Sequence, residues 1–246
     1  WHRQRVEAGF TTRRFPFVIK KTDEFLDAAN QKRFKKALFT DAVLKEHKVR
    51  HSVKYVTLNQ VHGSHVEVIT GAGSFKEDKF YHFPQTDGAI TNIQDLTLLV
   101  LTADCLSVFF RASAAADRPG WVGLVHAGWR GTKEEITAKA FKLILENSKA
   151  HASEIFITFG PCIGRSKYEV GSEFEGFFPK SSLTAKDNKL YFDLAGENRR
   201  QLLKAGALED NIFDLDICTV EENENFYSFR REKEASGRSI SFITKV

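Results

Sequence analysis

The stretch that decides the fold class is 96-LTLLVLTADCLSVFFRASAAADRPGWVGLVHAGWRG-131. It contains three short apolar runs bounded by turn residues, a pattern typical of strands, at Leu96–Thr102, Leu106–Arg111 and Trp121–His126. Pro119-Gly120 predicts a tight turn between the second and third runs. The stretch therefore predicts three strands, of which the last two pair as a hairpin.

The flanking sequence continues the same pattern and adds helices. Further apolar runs predict strands at Val53–Leu58, His65–Thr70, Ile155–Phe159, Leu190–Leu194 and Ser239–Thr244. The sequence also predicts helices at roughly Glu24–His47, Thr132–Lys149 and Ala195–Ala205, and the middle one has apolar residues at helical spacing. The strands come in clusters separated by single helices, without regular alternation of strand and helix. This arrangement favours an α+β fold, a layered α/β sandwich, over a doubly wound parallel sheet.

Local signals predict where some of these elements begin. Thr132 and Glu135 form a capping-box pattern, in which the glutamate reaches back to the threonine amide at the start of the middle helix. Asp193 is positioned to cap the third helix. Asp78–Asp87 is the best candidate for a long surface loop. With no repeat, low-complexity tract or proline-rich linker, the simplest prediction is a single domain over residues 1–246.

Composition excludes several classes of protein. The 246 residues are 42% hydrophobic and 28% charged, which is ordinary globular usage. A formal net charge of +4 is far from the clustered basic surface of a nucleic-acid binder. No apolar run reaches the roughly 18 residues of a transmembrane helix, so no membrane partner is expected. Three widely spaced cysteines argue against a disulfide framework and predict a reducing, cytoplasmic location.

Three metal-capable side chains each follow an apolar strand beside glycine or a small residue. They are His62, Cys105 and His126. Two imidazoles and one thiolate suit Zn²⁺ and leave a fourth position for water or substrate, as in a catalytic zinc site. Taken singly, each has an ordinary interpretation, because a cysteine after a strand is usually a buried small hydrophobe and a histidine is usually hydrogen-bonded. The zinc hypothesis therefore depends on the set of three.

Two basic segments suggest anion binding. In His126-Ala127-Gly128-Trp129-Arg130-Gly131 the glycines precede a predicted helix, whose N-terminal amides bind anions, and Arg130 adds a planar cation. The alternative is that the glycines only permit the turn and Arg130 pairs with a surface acid. Phe229-Arg230-Arg231 and Arg238 form a basic cluster near the C-terminal end. A solvated surface is its ordinary interpretation, with anion binding as the alternative.

Taken together, these motifs resemble the YfiH/YlmD family (DUF152), whose members are described as purine nucleoside phosphorylases or, in older naming, as polyphenol oxidase laccases. The resemblance runs from Gly9 to Ile243. It departs from the family pattern at Ser107, where proline is common, and at Ser239-Ile240, where Met-Ala is more usual. The motifs that carry it are Asn59-Gln60-Val61-His62-Gly63, Thr102-Ala103-Asp104-Cys105, His126-Ala127-Gly128-Trp129-Arg130-Gly131, Gly160-Pro161-Cys162-Ile163-Gly164, Tyr168-Glu169-Val170-Gly171, Phe226-Tyr227-Ser228-Phe229-Arg230-Arg231 and Gly237-Arg238.

The resemblance implies a fold, a cofactor and an activity. The fold is an α+β sandwich similar to that of a bacterial toxin deamidase. A zinc ion is expected on the catalytic residues His62, Cys105 and His126. The expected activity is phosphorolysis of adenosine, inosine, guanosine and methylthioadenosine, together with deamination of adenosine. Purine nucleosides and phosphate are therefore the expected partners, for a monomer or weak homo-oligomer.

Five residues are predicted to contact the substrate: Arg130, Arg13, Gln60, Asp104 and Arg238. The arginines suit phosphate, whose oxygens a guanidinium can bind in bidentate fashion. Asp104 lies beside a predicted ligand, so it is either a residue that orients His126 or His62, or an ordinary turn residue.

Two other enzyme classes remain open. A His₂Cys set also binds copper, as in a polyphenol oxidase, although the chain has no methionine for the usual axial ligand and only eight histidines. A metal-free hydrolase could use Cys105 as nucleophile and His126 as base. A non-catalytic binding protein is the third alternative.

Overall fold

The computed structural model describes residues 6–15, 18–40, 54–76 and 79–246. Within these ranges the helices are α1 (Ala28–Thr40), α2 (Trp129–Lys133), α3 (Ile136–Ser148), α4 (Leu194–Lys204) and α5 (Phe229–Glu232). The strands are β1 (Val6–Phe10), β2 (Lys54–Leu58), β3 (Val66–Ile69), β4 (Phe80–Phe83), β5 (Gly88–Thr91), β6 (Leu96–Thr102), β7 (Leu106–Ala112), β8 (Trp121–Ala127), β9 (Ile155–Phe159), β10 (Glu169–Val170), β11 (Leu183–Lys186), β12 (Lys189–Phe192), β13 (Ile212–Asp214) and β14 (Ser239–Lys245). The secondary structure is the mixed strand-and-helix content of an α+β fold.

Most of the strands form two mixed sheets. A five-stranded sheet has the order β1-β14-β6-β2-β4, and a six-stranded sheet has the order β13-β9-β7-β8-β5-β3. A small three-stranded sheet, β10-β12-β11, lies apart from both. The hairpin predicted from the sequence is confirmed, because β7 and β8 pair antiparallel along their whole length.

The two large sheets pack face to face and carry helices on their outer faces. In β6, Leu96, Leu98 and Val100 belong to the apolar cluster shared by the two sheets. Leu99 and Leu101 point the other way, into the cluster beneath α1. This alternation is the period-two geometry of a strand buried on both faces. The result is a four-layer sandwich of α1, the five-stranded sheet, the six-stranded sheet, and α3 with α4.

The layers account for the apolar pattern of the hairpin as well. Val122 and Leu124 of β8 point between the sheets, whereas Val125 packs with Phe141 and Ile144 of α3. The face of β8 that points between the sheets continues through His126, which is 3% exposed. The packing of this face of β8 between the sheets therefore places His126 at the edge of the sandwich.

Several predicted boundaries were wrong. The predicted helix Glu24–His47 is a short 3-10 turn followed by α1, which begins at Ala28, and its part beyond residue 40 lies outside the described residues. The strand predicted at Leu190–Leu194 ends at Phe192, because Asp193 already caps α4.

The predicted helix Thr132–Lys149 is in fact two helices, α2 and α3. Glu135 has φ 58°, so its left-handed backbone ends the first helix, and it makes no side-chain cap. The capping box predicted from Thr132 is therefore wrong. A Cβ on Gly131 would lie 2.6 Å from the carbonyl oxygen of Gly63, which means that α2 is seated against a distant turn rather than in line with α3.

The segment Asp78–Asp87 was predicted as a loop, but it contains β4. Phe80–Phe83 pairs in parallel with β2 at the edge of the five-stranded sheet. Its sequence, Phe-Tyr-His-Phe, lacks the alternation of polar and apolar residues that marks a strand, so only the pairing partner identifies it.

The N-terminal cap of α4 provides a test of the local structure. The Asp193 side chain accepts a hydrogen bond of 2.8 Å from the Gly196 backbone N–H, as predicted from the sequence. Asp193→Ala should lower the free energy of unfolding by about 1 kcal/mol, because one N–H at the start of the helix loses its partner. Urea denaturation measures this change. Asp193→Asn is the matched control, since asparagine also caps helices, and a loss as large as that of the alanine variant would contradict the assignment.

Candidate metal centre

Three chain segments reach the same edge of the two sheets. β2 and β6 run parallel, so the turns that follow them, which carry His62 and Cys105, emerge on the same side. β7 begins at this edge, one residue after Cys105, and its antiparallel pairing with β8 places Ser107 opposite His126. Strand register therefore brings together residues that are far apart in sequence.

His62, Cys105 and His126 form a compact cluster. One possible ligand atom from each lies within 4.8 Å of the other two. The two imidazole rings are 4.9 Å apart between centroids and nearly perpendicular. His126 is buried, whereas His62 is exposed, so the cluster is open on one side. Such an arrangement can be approached from solvent.

Gly128 lies against this cluster and leaves no room for a side chain. A Cβ there would be 3.1 Å from both Cys105 Sγ and His62 Cδ2. The glycine in the motif His126-Ala127-Gly128 is thus explained by the approach of two cluster side chains to the backbone. Its φ of −81° is open to any residue, so the requirement is steric rather than conformational.

A buried carboxylate supports the cluster from below. Asp87 Oδ1 is 2.8 Å from His126 Nδ1, and Asp87 is 0% exposed. Burial alone would raise the pKa of Asp87, but the hydrogen bond and charge of His126 outweigh it and lower that pKa. Since Nδ1 is engaged by the carboxylate, Nε2 is the nitrogen that His126 offers to the cluster.

Cys105 and His126 shift each other's pKa. Burial raises the pKa of the Cys105 thiol, but the charges of His126 and His62 and their hydrogen bonds lower it to about 6. Burial lowers the pKa of His126, but the charge of Cys105 and the Asp87 hydrogen bond raise it to about 9. Without a metal, the pair is therefore a thiolate and an imidazolium at neutral pH.

This donor set fits a zinc ion. Zinc prefers thiolate and imidazole ligands, and three protein ligands leave one position open. The low thiol pKa supplies the thiolate form that binds metal, and the Asp87 hydrogen bond directs a ring nitrogen of His126 toward the cluster. Copper accepts the same donors, so the geometry identifies a possible metal site without identifying the metal.

The cluster forms one wall of a cavity of about 520 Å³. The cavity has a cationic and aromatic lining. Among the described residues, the only acidic side chain that lines it is Asp104. Its basic and aromatic lining residues are Lys20, Lys21, Arg130, Arg230, Arg238, Trp129, Tyr168 and Phe229.

Arg130 and Arg238, which are predicted to contact the substrate, both line this cavity. Arg130 lies over the ring of Trp129 at 4.3 Å, and its guanidinium makes no hydrogen bond or ion pair with any residue that the structure describes. Arg238 donates from Nη1 to the carbonyl oxygens of Ser236 and Gly237, which leaves its other nitrogens available. Among the described residues nothing occupies the N–H groups of Arg130, so they are available to a bound anion.

Gln60 and Asp104 also line the cavity, but their polar atoms hold the fold. The Gln60 amide makes two hydrogen bonds of 2.8 Å with the backbone of Leu101. Asp104 accepts from the Thr219 hydroxyl at 2.7 Å and from the Arg230 backbone N–H at 2.6 Å. The carboxylate that contacts His126 is Asp87, and Asp104 instead joins its own turn to the C-terminal segments.

Arg13 lies elsewhere. Its guanidinium forms an ion pair with Glu232 and lies over the ring of Tyr227 at 4.9 Å. It is absent from the described residues that line the cavity. The prediction that Arg13 contacts substrate has no support from this position.

Some residues of the site were not predicted from the sequence. Asp87 is the last residue of the segment predicted as a loop, and nothing in its local sequence indicates a histidine partner. Lys20 and Lys21 come from a segment without a motif and reach the cavity because the Arg238 N–H donates to the Ile19 carbonyl oxygen. Tyr168 and Arg230 lie in two of the family motifs, and the guanidinium of Arg230 lies over the Tyr168 ring at 5.2 Å.

Comparison with known proteins agrees with the motifs. The model of the family described as multi-copper polyphenol oxidoreductase laccase matches residues 29–245. The purine nucleoside phosphorylase YlmD of Geobacillus stearothermophilus is 32% identical over 200 residues, which are 77% of this chain and 72% of that protein. This chain belongs to the YfiH/YlmD family. The purine nucleoside phosphorylase YfiH of Escherichia coli is 32% identical over 196 residues, 77% of this chain and 73% of its own.

Solved structures of YfiH/YlmD proteins share the fold. The hypothetical protein YfiH of Bacillus licheniformis has a TM-score of 0.76 and 27% identity, covering 97% of this chain and 92% of that one. YlmD from G. stearothermophilus has the same TM-score and identity, covering 98% and 92%. The layered α+β architecture is therefore that of the YfiH/YlmD family. No helix within the described ranges is both long and apolar enough to span a bilayer.

The thiolate of Cys105 can be tested by its pH dependence in metal-free protein. Alkylation by iodoacetamide should rise with pH through a midpoint near 6, because the thiolate is the reactive form and is lost as the pH falls below this value. Peptide mapping by mass spectrometry reports each cysteine separately. Cys162, whose thiol pKa is raised by burial, should stay unreactive and is the internal control. A Cys105 midpoint near its ordinary value of 9.0 would contradict the assignment.

Proposed function

We propose that this protein is a zinc-dependent purine nucleoside phosphorylase that also deaminates adenosine. The observation that carries the proposal is the His62, Cys105 and His126 cluster in the wall of a cavity that is also lined by the guanidinium of Arg130. The names of the YlmD and YfiH relatives, both purine nucleoside phosphorylases, support the phosphorylase part of this proposal. The proposed substrates are adenosine, inosine, guanosine and methylthioadenosine, with phosphate as the second substrate.

In phosphorolysis, an oxygen of phosphate attacks C1′ of the ribose. The bond between C1′ and the purine nitrogen breaks, and its electron pair leaves with the base, which takes up a proton. Arg130 binds the phosphate, because a guanidinium matches two of its oxygens at once. Burial keeps the pKa of Tyr168 raised, so its hydroxyl stays protonated and can donate a hydrogen bond to the departing purine.

The cavity offers aromatic surfaces to the purine. Trp129, Tyr168 and Phe229 line it, and Phe229 is partly exposed. A zinc ion held by His62, Cys105 and His126 would supply Lewis acidity and would lower the pKa of a bound water to about 7. In deamination, the oxygen of water replaces the amino group at C6 and ammonia leaves. Both reactions use the same purine-binding surfaces.

A copper oxidase is less well supported, although the family description names one. Multicopper oxidases need many histidine ligands, and the chain has eight in all. Among the described residues, one group of three metal-capable side chains has its ligand atoms close enough together, within 4.8 Å of one another, to share an ion. Such a group suits a single ion.

A metal-free hydrolase is the second candidate, because an acid, a base and a nucleophile lie side by side as in a catalytic triad. They are Asp87, His126 and Cys105. The acid engages Nδ1 of the histidine, and the thiol sulfur lies within 4.8 Å of a ring nitrogen of the histidine. A thiol with a pKa of about 6 is an activated nucleophile. In this alternative the same three residues act without metal.

The proposed reaction is tested by analysing products from adenosine with zinc-loaded protein, with and without phosphate. Adenine and ribose-1-phosphate should appear only with phosphate, and inosine should appear in either case. A chelator should abolish both reactions, and readdition of zinc should restore them. Chromatography of the products separates the two reactions.

Cys105→Ala is the control for this assay and should form neither product. Activity that survives the chelator but not Cys105→Ala would favour the hydrolase. Oxidation of a phenol by the copper-loaded protein, without nucleoside turnover, would favour the oxidase. Zinc loading without any nucleoside product would contradict the proposal.

The phosphate role of Arg130 predicts a change in KM. Arg130→Ala should raise the KM for phosphate by about 10- to 100-fold, because a hydrogen bond to a charged group contributes roughly 1.5–3 kcal/mol. Arg130→Lys keeps the charge but loses the planar fork, so it should recover part of the effect. Arg199→Ala, which removes an arginine paired with Glu209, is the matched control. An unchanged phosphate KM in Arg130→Ala would eliminate this role.

A further inference from the structure

Asp87 is the acidic residue most completely enclosed beside the cluster. It immediately precedes β5 and is 0% exposed. Its backbone carbonyl oxygen accepts a hydrogen bond of 2.7 Å from the backbone N–H of His126. A buried carboxylate is costly unless its oxygens are hydrogen-bonded. Its partners therefore indicate why it is there.

Both carboxylate oxygens of Asp87 are fully used, and they reach two of the three cluster residues. Oδ1 accepts from the His62 backbone N–H at 3.0 Å and contacts His126 Nδ1 at 2.8 Å. Oδ2 accepts from the N–H groups of Val61 at 3.1 Å and Gly63 at 2.8 Å. One side chain thus ties the turn that carries His62 to the ring of His126.

The turn that Asp87 holds is strained. His62 has φ 61°, in the left-handed region that few residues other than glycine adopt. Such a conformation costs on the order of 1–3 kcal/mol and persists only when its surroundings enforce it. Three successive N–H groups directed at one carboxylate provide that enforcement.

We propose that Asp87 is the positioning residue of the cluster, which sets the turn of His62 and the ring nitrogen of His126 at the same time. Because Oδ1 accepts the proton on His126 Nδ1, Nε2 is the ring nitrogen that faces the cluster, and it can bind a metal ion once the ion displaces its proton. Because the same carboxylate binds the His62 turn, the two imidazoles are held together before a metal arrives. This inference rests on the metal site proposed above and concerns how the chain builds that site.

An asparagine at this position cannot reproduce the contacts, although it has the same shape. With its oxygen at the Oδ1 position, the amide nitrogen faces the N–H groups of Val61 and Gly63, so donors oppose donors. With its oxygen at the Oδ2 position, the amide nitrogen faces His126 Nδ1, and the ring proton moves to Nε2. Either arrangement disturbs one of the two histidines.

The experiment is a competitive zinc titration of Asp87→Asn against a chelator of known affinity. Loss of the partner that orients a metal-binding histidine weakens metal binding by about 10- to 100-fold, and that loss is expected here. Cobalt loading gives a second readout, since the intensity of the thiolate-to-cobalt absorption should fall at a fixed cobalt concentration. Neither measurement depends on catalysis.

Glu197→Gln is the matched control. Glu197 is a buried carboxylate that accepts hydrogen bonds from Ser182, Arg200 and Gln201, away from the cavity. The Glu197→Gln variant should have a lower melting temperature than the wild type and the same zinc affinity. Equal weakening by both variants, or an affinity of Asp87→Asn within threefold of wild type (about 0.7 kcal/mol), would overturn the positioning role.

A second variant covers the case in which Asp87→Asn does not fold. Asp87→Glu keeps the charge but displaces the carboxylate by one methylene, so weaker zinc binding supports the inference and wild-type affinity overturns it. If the wild-type protein binds neither zinc nor cobalt, the metal site of the proposed function fails, and this inference fails with it. Zinc binding by the wild type that is insensitive to Asp87 overturns the positioning role alone.

Discussion

The packing of the two large sheets against each other constrains the rest of the molecule. β6 buries leucines on both of its faces, toward the second sheet on one side and toward α1 on the other. Two-sided burial leaves these strands no freedom to slip, because a shift of one residue would exchange the two faces. The turns that leave β2, β6 and β8 must then emerge at fixed positions. His62, Cys105 and His126 meet because those positions share one edge.

The turns at this edge adopt backbone conformations that their residues disfavour. His62 and Asp104 both have positive φ, at 61° and 88°. Each turn is held by a buried carboxylate, that of Asp87 in the first and that of Asp104 itself in the second. The two acids that line or support the site are thus engaged with the protein. Their use in positioning leaves the cavity with an excess of cationic side chains, which suits an anionic substrate such as phosphate.

The cavity is also a meeting point of distant segments. Ile19 accepts a hydrogen bond from Arg238, and Asp104 accepts one from the backbone of Arg230. The basic residues near the C-terminal end therefore face the cluster through backbone and carboxylate contacts. These contacts explain why Arg230, whose ordinary interpretation was a solvated surface, lines the cavity instead. Arg13, by contrast, pairs with Glu232 and is not among the described residues that line the cavity.

The sequence alone determined the α+β class, the central strands, the hairpin and the three candidate ligands. Each of these follows from short-range information, namely strand periodicity, a turn signal or a motif. The tertiary structure alone decided that Asp87, and not Asp104, contacts His126, that α2 separates from α3, and that Phe80–Phe83 pairs as a strand. All three depend on partners that are distant in the chain. Asp87 contacts His126, Gly131 lies against the turn at Gly63, and β4 pairs with β2. No local pattern encodes such a partner, because it is supplied by how the sheets pack and which strands they place side by side.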